Sequence, residues 1–143
     1  MGAHYYLVKP EVAGGLGPET IMNATVHPPQ VSRLHYEVVD WLGDCIVQSF
    51  PCYLAMRHVA HRLKGMGFTG FHSDEAIISE ADEFRELNPD GELPDLVWLL
   101  VDGEPGADDL GMTKKGQLVV SEPVLDVLRS ESLSIGTFTP WEA

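Results

Sequence analysis

Two cysteines and two histidines form the group of residues best suited to hold a metal ion. They are Cys45, Cys52, His58 and His61. Thiolate and imidazole are preferred zinc ligands, but structural zinc sites separate their cysteines by about two to four residues and their histidines by about three to five. Here six residues separate the cysteines and two separate the histidines. We therefore expect buried free thiols and surface imidazoles, with no metal and no other cofactor.

Hydrolytic chemistry would need a nucleophile with a nearby base. The serines that could serve are Ser49, Ser73, Ser79 and Ser121, and six histidines accompany them. No Gly-x-Ser-x-Gly elbow surrounds any of these serines. Gly14, Gly15 and Gly17 are not followed by the Lys and Ser or Thr of a phosphate-binding loop. The sequence thus predicts no catalytic residue set, and we expect no enzymatic activity.

Acidic residues outnumber basic ones, and nearly all of the excess lies in one segment. The 143-residue chain has 22 Asp and Glu against nine Lys and Arg, which gives a formal net charge of −13. Residues 1–73 sum to zero and residues 110–143 to −1, so residues 74–109 carry −12, with Arg85 as their single base. Phosphate contacts require clustered Lys and Arg, so this balance argues against binding of nucleic acid.

The acidic segment, residues 74–109, predicts a protein-binding surface. Acidic charge can serve solubility alone, but it is then normally spread over the whole surface. Like charges confined to 36 residues repel one another, and a basic partner would relieve that repulsion. The carboxylates that we expect to contact the partner are Asp82, Glu83, Glu86, Asp90, Asp95, Asp108 and Asp109.

Length and composition favour a single domain over residues 1–143. With 44% hydrophobic residues, the chain can bury a core without disulfides or metal ions. The start of the chain lacks the pattern of a signal peptide, and no run reaches the roughly 18 apolar residues that span a bilayer. We therefore expect a cytoplasmic protein with reduced cysteines and no membrane partner.

The elements that must position these groups alternate between strand and helix. The predicted strands are His4–Val8, Leu34–Val39, Cys45–Phe50, Phe68–Phe71 and Leu93–Val101, the last being an apolar run with Trp98 in the core. The predicted helices include one that starts near Tyr53 and is stopped by Gly65 and Gly67, and one over Ala76–Leu87. A long surface loop covers Glu11–Pro29, with a short extended piece at Ile21–Val26. We expect an α+β domain with one mixed sheet of about five to seven strands and two or three helices.

Two modules, residues 53–71 and 118–138, share one pattern at a shift of 65 residues. The shift pairs Leu54 with Val119, Val59 with Val124, Leu63 with Leu128 and Phe68 with Leu133. Each module predicts a strand end, a helix of about three turns and a second short strand. The acidic segment would then be an insert or connector between two similar modules. Duplication and a chance match of strand-helix-strand alternation both explain the pattern.

From Leu110 onward the chain resembles the C-terminal module of bacterial immunity proteins from polymorphic toxin systems. The residues that carry the resemblance are the strand Leu118–Val120, the helix start Ser121 and Glu122, the helix residues Leu125 and Leu128, and Phe138 with Pro140, while Tyr5 and Tyr6 add to it. The resemblance implies a small α+β protein that binds and neutralises a cognate toxin protein. The acidic segment is compatible with a basic toxin.

Two other classes of function stay open on the sequence alone. One is an enzyme or ligand-binding domain with a site around His58 and His61, which a pocket that gathers those side chains would favour. The other is a structural subunit of a larger assembly, which a large exposed apolar patch would favour. The oligomeric state cannot be predicted from these residues.

Overall fold

Runs of branched and aromatic residues form most of the strands in the computed structural model, which describes residues 4–142. Such side chains favour strands because they pack well on a pleated surface. The strands are β1 Tyr5–Lys9, β2 Gly14–Leu16, β3 Ile21–Asn23, β4 Gln30–Arg33, β5 His35–Val38, β6 Ile46–Ser49, β7 Cys52–Met56, β8 Phe71–Asp74, β9 Ile77–Glu80, β10 Leu96–Val101, β11 Leu110–Met112, β12 Leu118–Ser121 and β13 Thr137–Trp141. The helices are α1 Arg57–Gly65, α2 Asp82–Leu87 and α3 Glu122–Glu131. The prediction of a single α+β domain is confirmed.

The strands are distributed over four sheets and not over the one sheet that we expected. Two antiparallel sheets have four strands each, in the orders β6-β7-β10-β8 and β11-β12-β1-β13. A third sheet has the order β2-β5-β9, with β5 and β9 parallel, and β3 pairs with β4 in a hairpin. The loop predicted over Glu11–Pro29 therefore contains two short strands, β2 and β3.

Strand β10 explains the long apolar run of the acidic segment. Val97 and Leu99 face one hydrophobic cluster, whereas Leu96 and Trp98 face a second cluster on the opposite side of the sheet. A strand that is buried on both faces needs no alternation of polar and apolar residues. Because β10 lies inside the β6-β7-β10-β8 sheet, the acidic segment supplies an inner strand of the fold.

The two hydrophobic clusters hold the helices in different ways. The first cluster packs α1 and α3 between the two four-stranded sheets, with Val59, Leu63, Val124 and Leu128 all buried. The second cluster lies between the β6-β7-β10-β8 sheet and the three-stranded sheet, and Phe84 of α2 enters it. Phe84 is the one buried residue of α2, so the other side chains of this helix are free to face solvent.

The two modules that share a sequence pattern occupy equivalent places in the two four-stranded sheets. Helix α1 begins at Arg57 and α3 begins at Glu122, which are 65 residues apart. In each sheet the strand before the helix and the strand after it flank a central antiparallel strand, β10 or β1. An edge strand, β6 or β11, completes each sheet. The modules thus share a topology, and duplication stays a prediction.

Strand pairing overrides the predicted helical pattern in two places. The chain at Tyr53 is strand β7, because β6 and β10 pair with it on both sides, and the helix starts only at Arg57. The helix predicted over Ala76–Leu87 was wrong in its first half. There, Ile77–Glu80 forms β9, whose backbone groups pair with β5, and only Asp82–Leu87 is helical. The strand predicted over Phe68–Phe71 begins at its last residue.

Within residues 4–142, no helix is long and apolar enough to cross a membrane. The longest of the three, α3, has 10 residues, whereas a helix that spans a bilayer needs about 20.

Candidate functional site

The structure separates the four residues that we considered as zinc ligands. Cys45 and Cys52 are free and buried, and they belong to different hydrophobic clusters. Burial raises the pKa of the Cys45 thiol to about 11 and that of the Cys52 thiol to about 12, so neither is a thiolate at neutral pH. His58 and His61 lie exposed on α1. In the described part of the chain, no three His, Cys, Asp or Glu residues are grouped to hold a metal ion.

His58 takes part in a contact between α1 and α3. Its Nε2 lies 3.1 Å from Oε1 of Glu131, whose Oε2 accepts a hydrogen bond of 2.9 Å from Arg62. The Arg62 guanidinium, and after it His58, hold the pKa of Glu131 below its usual range. This cluster ties the C-terminal end of α3 to α1, which is a structural role.

Replacement of Glu131 with glutamine should remove an acid-sensitive part of the stability. The pKa of Glu131 is lower in the folded chain than in the unfolded chain, so its contribution is present above about pH 4.5 and disappears as the pH falls through the folded value. Because Arg62 is 45% exposed, we expect E131Q to lower the free energy of unfolding by only about 0.5 kcal/mol at pH 7.

Urea unfolding at several pH values between neutral and acid tests this expectation. The matched control is Asp126→Asn, which neutralises an exposed acid on the same helix that has no hydrogen bond or ion pair in residues 4–142. If both variants differ from the wild type by the same amount at every pH, the Glu131 contact does not stabilise the fold.

A histidine and a serine do meet in the structure, at His35 and Ser79. Nε2 of His35 lies 2.7 Å from Oγ of Ser79, and Nδ1 accepts a hydrogen bond of 3.2 Å from the backbone N–H of Glu19. Because Nδ1 is an acceptor, the neutral ring carries its proton on Nε2 and donates it to the serine. A general base would have to accept the serine proton at that nitrogen. The pair therefore links β5 to β9 and does not activate a nucleophile.

A broad groove of about 710 Å³ lies between the β3-β4 hairpin and the face of β10. Its walls are mainly apolar, with Met22, Trp98 and Leu100 among them. At its rim, Nδ1 of His72 and Oδ2 of Asp102 are 3.8 Å apart, and both side chains are largely exposed. An imidazole and a carboxylate in solvent, with no hydroxyl or thiolate between them, do not form an activated nucleophile.

Two buried carboxylates, Glu11 and Asp44, were not singled out by the sequence. Glu11 accepts hydrogen bonds from the backbone N–H groups of Leu42 and Asp44. Asp44 is fully buried and accepts from three consecutive N–H groups. Those donors are Ser134, Ile135 and Gly136, at 2.9, 3.0 and 2.6 Å. For Asp44 the sequence signal is a lone acid within the apolar run Trp41–Val47. The Asp44 carboxylate joins the β5-β6 loop to the chain before β13.

Asp108 and Asp109, both predicted to contact a partner, are engaged inside the fold. Oδ2 of Asp108 accepts the backbone N–H of Glu104 at 2.8 Å, which closes a turn. Asp109 accepts from the backbone N–H of Thr69 and from the hydroxyl of Ser121, both at 3.0 Å. These contacts connect the loop before β11 with the starts of β8 and α3, so both side chains are only half exposed.

Asp95 has a cationic partner within the chain. It forms an ion pair of 3.1 Å with Nε of Arg57, and the same guanidinium binds Glu75 at 2.8 Å. The hydrogen bonds from Arg57 hold the pKa of Glu75 below its usual range. Asp95 therefore contributes less unbalanced charge than the count of acids suggests.

The other four predicted carboxylates remain exposed and form what we call the α2 acidic face. Its residues are Asp82, Glu83 and Glu86 on α2, with Asp90 in the following loop. Among residues 4–142, none of the four forms an ion pair. The one base of the segment, Arg85, binds Glu80 and the carbonyl groups of residues 88, 89 and 91. The negative charge of this face is thus left for solvent or a partner.

Strand β10 separates Asp95 from Asp108 and Asp109. Asp95 precedes the strand, whereas Asp108 and Asp109 follow it. Six residues of extended chain, at about 3.3 Å each, place the two ends roughly 20 Å apart. Because the other three carboxylates have partners inside the fold, we take the α2 acidic face as the candidate site.

Comparison with known proteins gives no match that bears on the α2 acidic face. No protein-family model matches the sequence, and no curated protein matches it significantly.

Proposed function

We propose that this chain is an acidic inhibitor that binds and neutralises a cognate bacterial toxin, that is, an immunity protein that acts in the cytoplasm. The observation that carries the proposal is the α2 acidic face, four exposed carboxylates without an ion pair in residues 4–142. Such a surface steers a basic protein towards it and raises the association rate at low salt.

The reactive groups of the chain favour binding over catalysis. The His35 ring donates to Ser79 and does not accept from it. Burial keeps the thiols of Cys45 and Cys52 protonated by raising the pKa of each. These groups therefore support the proposal of binding through the exposed charge.

The resemblance of the C-terminal module supports the same class. Its strand, helix and final strand correspond to β12, α3 and β13, which lie together in and against one sheet. The net charge of −13 favours a basic partner and disfavours nucleic acid. A toxin that itself binds nucleic acid through a basic surface would present the complementary charge.

Co-expression tests the proposal directly. If a large secreted protein with a variable C-terminal domain is encoded beside this chain, the probe is that C-terminal domain, expressed in a host with and without the chain. We expect the domain alone to arrest growth and the chain to restore it. We also expect the purified pair to form a one-to-one complex whose affinity falls steeply as salt is added.

The control is the same co-expression with a toxin domain of unrelated sequence, which the chain should not neutralise. Growth arrest that persists in the presence of the folded chain, or a neighbourhood of metabolic genes with no such secreted protein, would overturn the proposal.

A further inference from the structure

Four exposed apolar residues lie beside the α2 acidic face. They are Val12, Val39, Leu42 and Leu87, with exposed fractions of 66, 38, 60 and 60%. We call them the apolar patch. Single exposed apolar residues are normal on a protein surface, but a contiguous group rimmed by polar residues marks an interaction site.

Backbone contacts bring three of these residues together. Val39 donates its N–H to the carbonyl of Ala13 at 2.8 Å, and Leu42 donates its N–H to the carboxylate of Glu11 at 2.6 Å. Val12 lies between Glu11 and Ala13 in the chain, so its backbone lies next to the segment that carries Val39 and Leu42. Glu11 and Ala13 are buried, which leaves Val12 to point outward.

Helix α2 adds the fourth residue and connects the patch to the acidic face. The side chain of Asn88 donates a hydrogen bond of 3.2 Å to Asp40, and Leu87 is the neighbour of Asn88. Ala81, the residue before α2, donates its N–H to the carbonyl of Val38 at 2.8 Å, so α2 begins next to the residue that precedes Val39. Glu83 lies one helical turn before Leu87, so the two side chains share a face of α2.

Trp41 gives the patch a rigid base. The residue is half-buried and packs against the second cluster, and its indole N–H donates to the carbonyl of Asp44 at 2.8 Å. Tryptophan is enriched among the residues that contribute most to protein-protein affinity, typically near the centre of an interface. Here it lies in the chain between Val39 and Leu42.

The negative charge around the apolar patch favours some binding partners over others. A second copy of this chain would bring another net charge of −13 and the same carboxylates against Glu83, Glu86 and Asp90. Anionic lipid headgroups would be repelled in the same way. A surface with an apolar centre and surrounding Lys or Arg side chains fits both the patch and its rim.

We propose that the apolar patch is the energetic centre of the inhibitory interface and takes an apolar side chain of the partner, whose flanking basic residues contact the α2 acidic face. The inference rests on the proposed function and deepens it, because it separates two contributions. The patch supplies affinity through a slower dissociation rate, and the carboxylates supply a faster association rate.

The test compares the double variant Leu42→Ser with Leu87→Ser against the control Met66→Ser. Met66 is 54% exposed at the end of α1 and does not belong to the patch. With the toxin domain as probe, the double variant should bind at least about tenfold more weakly, through faster dissociation and with an unchanged salt dependence. Urea unfolding should show that all three proteins are equally folded.

A second probe does not depend on the toxin domain. It is a peptide with Leu-Trp-Leu flanked by lysines, paired with a control peptide in which glutamates replace the lysines. We expect the lysine peptide to shift the backbone amide resonances of Val39, Leu42 and Leu87 in the wild type and not in the double variant. The glutamate peptide should shift none of them.

The outcomes separate the two proposals. If the wild type does not bind the toxin domain, the proposed function fails. If the wild type binds it and the double variant binds equally well, this inference fails while the proposed function stands. It also fails if the lysine peptide leaves the patch resonances unmoved, or if sedimentation shows a wild-type dimer that the double variant loses, because a second copy then occupies the patch.

Discussion

Replacement of Asp44 with alanine is expected to lower the free energy of unfolding by roughly 3 kcal/mol. The carboxylate of Asp44 accepts three backbone N–H groups from residues 134–136, at distances between 2.6 and 3.0 Å. Alanine would remove all three hydrogen bonds at once and leave a cavity where the fully buried Asp44 carboxylate lies. A hydrogen bond to a charged group contributes about 1.5–3 kcal/mol, and water can reach the N–H groups of the exposed residues Ser134 and Ile135 in the variant, so the expected loss is below the sum of three such bonds.

Urea unfolding measures the effect as a lower midpoint with an unchanged slope. Asp44→Asn should fall between the wild type and D44A, since the amide keeps one acceptor oxygen and places a donor opposite a donor. Asp126→Ala, an exposed acid on α3, is the matched control and should change stability by no more than about 0.5 kcal/mol. Equal stability of D44A and D126A would show that the buried carboxylate does not hold the chain before β13.

Neutralisation of the α2 acidic face is expected to weaken binding of the toxin domain about a hundredfold at low salt. The variant carries Asp82→Asn, Glu83→Gln, Glu86→Gln and Asp90→Asn together. Most of the loss should lie in the association rate, because these carboxylates are exposed and act over a distance of about a Debye length. The dependence of affinity on salt should become shallow for the same reason.

The fold should tolerate this change. Asp82 and Glu83 occupy the first turn of α2, where a negative charge stabilises the helix by up to about 1 kcal/mol per residue. Relief of repulsion among the neighbouring acids opposes that loss. Surface plasmon resonance at several salt concentrations measures the two rate constants of binding.

A control with the same change in net charge tests whether the position of the charge matters. It neutralises four exposed acids away from α2, namely Glu104, Glu122, Asp126 and Glu142. The control should retain most of the affinity. If it loses as much as the α2 variant, only the overall charge steers binding and the α2 acidic face has no special role.

Strand β10 could be predicted from the sequence because it is buried on both faces. The run Leu93–Val101 is apolar without alternation, and β10 indeed packs against two clusters, one on each side of its sheet. The helix of each module was also predictable, because Val59 and Leu63, like Val124 and Leu128, recur at helical spacing and are buried. In elements of this kind, the spacing of apolar residues along the sequence indicates which face is buried.

Segment Ile77–Glu80 shows where periodicity fails. Its residues continue the helical pattern of the acidic segment, yet they form β9 because the edge of β5 offers hydrogen-bond partners to their backbone. The competing partner lies about 40 residues away in the chain, so no local window contains the information. The parallel pairing of β5 with β9 therefore depends on the tertiary structure.

The candidate site was only partly predictable for a related reason. A count of acids gives the net charge of the segment but does not tell which carboxylates face solvent and which face the interior. Asp109 turns inward to Thr69 and Ser121, Asp95 pairs with Arg57, and the α2 carboxylates face solvent. Each outcome depends on which donor the fold brings within about 3 Å of the carboxylate.

By itself, the sequence determined the α+β class, the burial of the central strand, the reduced thiols and the confinement of −12 charge units to residues 74–109. These follow from composition and local spacing, which folding does not alter. Only the tertiary structure decided that β10 separates Asp95 from Asp108 and Asp109, that Asp44 supports the chain before β13, and that α2, which carries Leu87, contacts the segment with Val39 and Leu42. Such contacts join residues far apart in the chain, and a linear pattern carries no record of them.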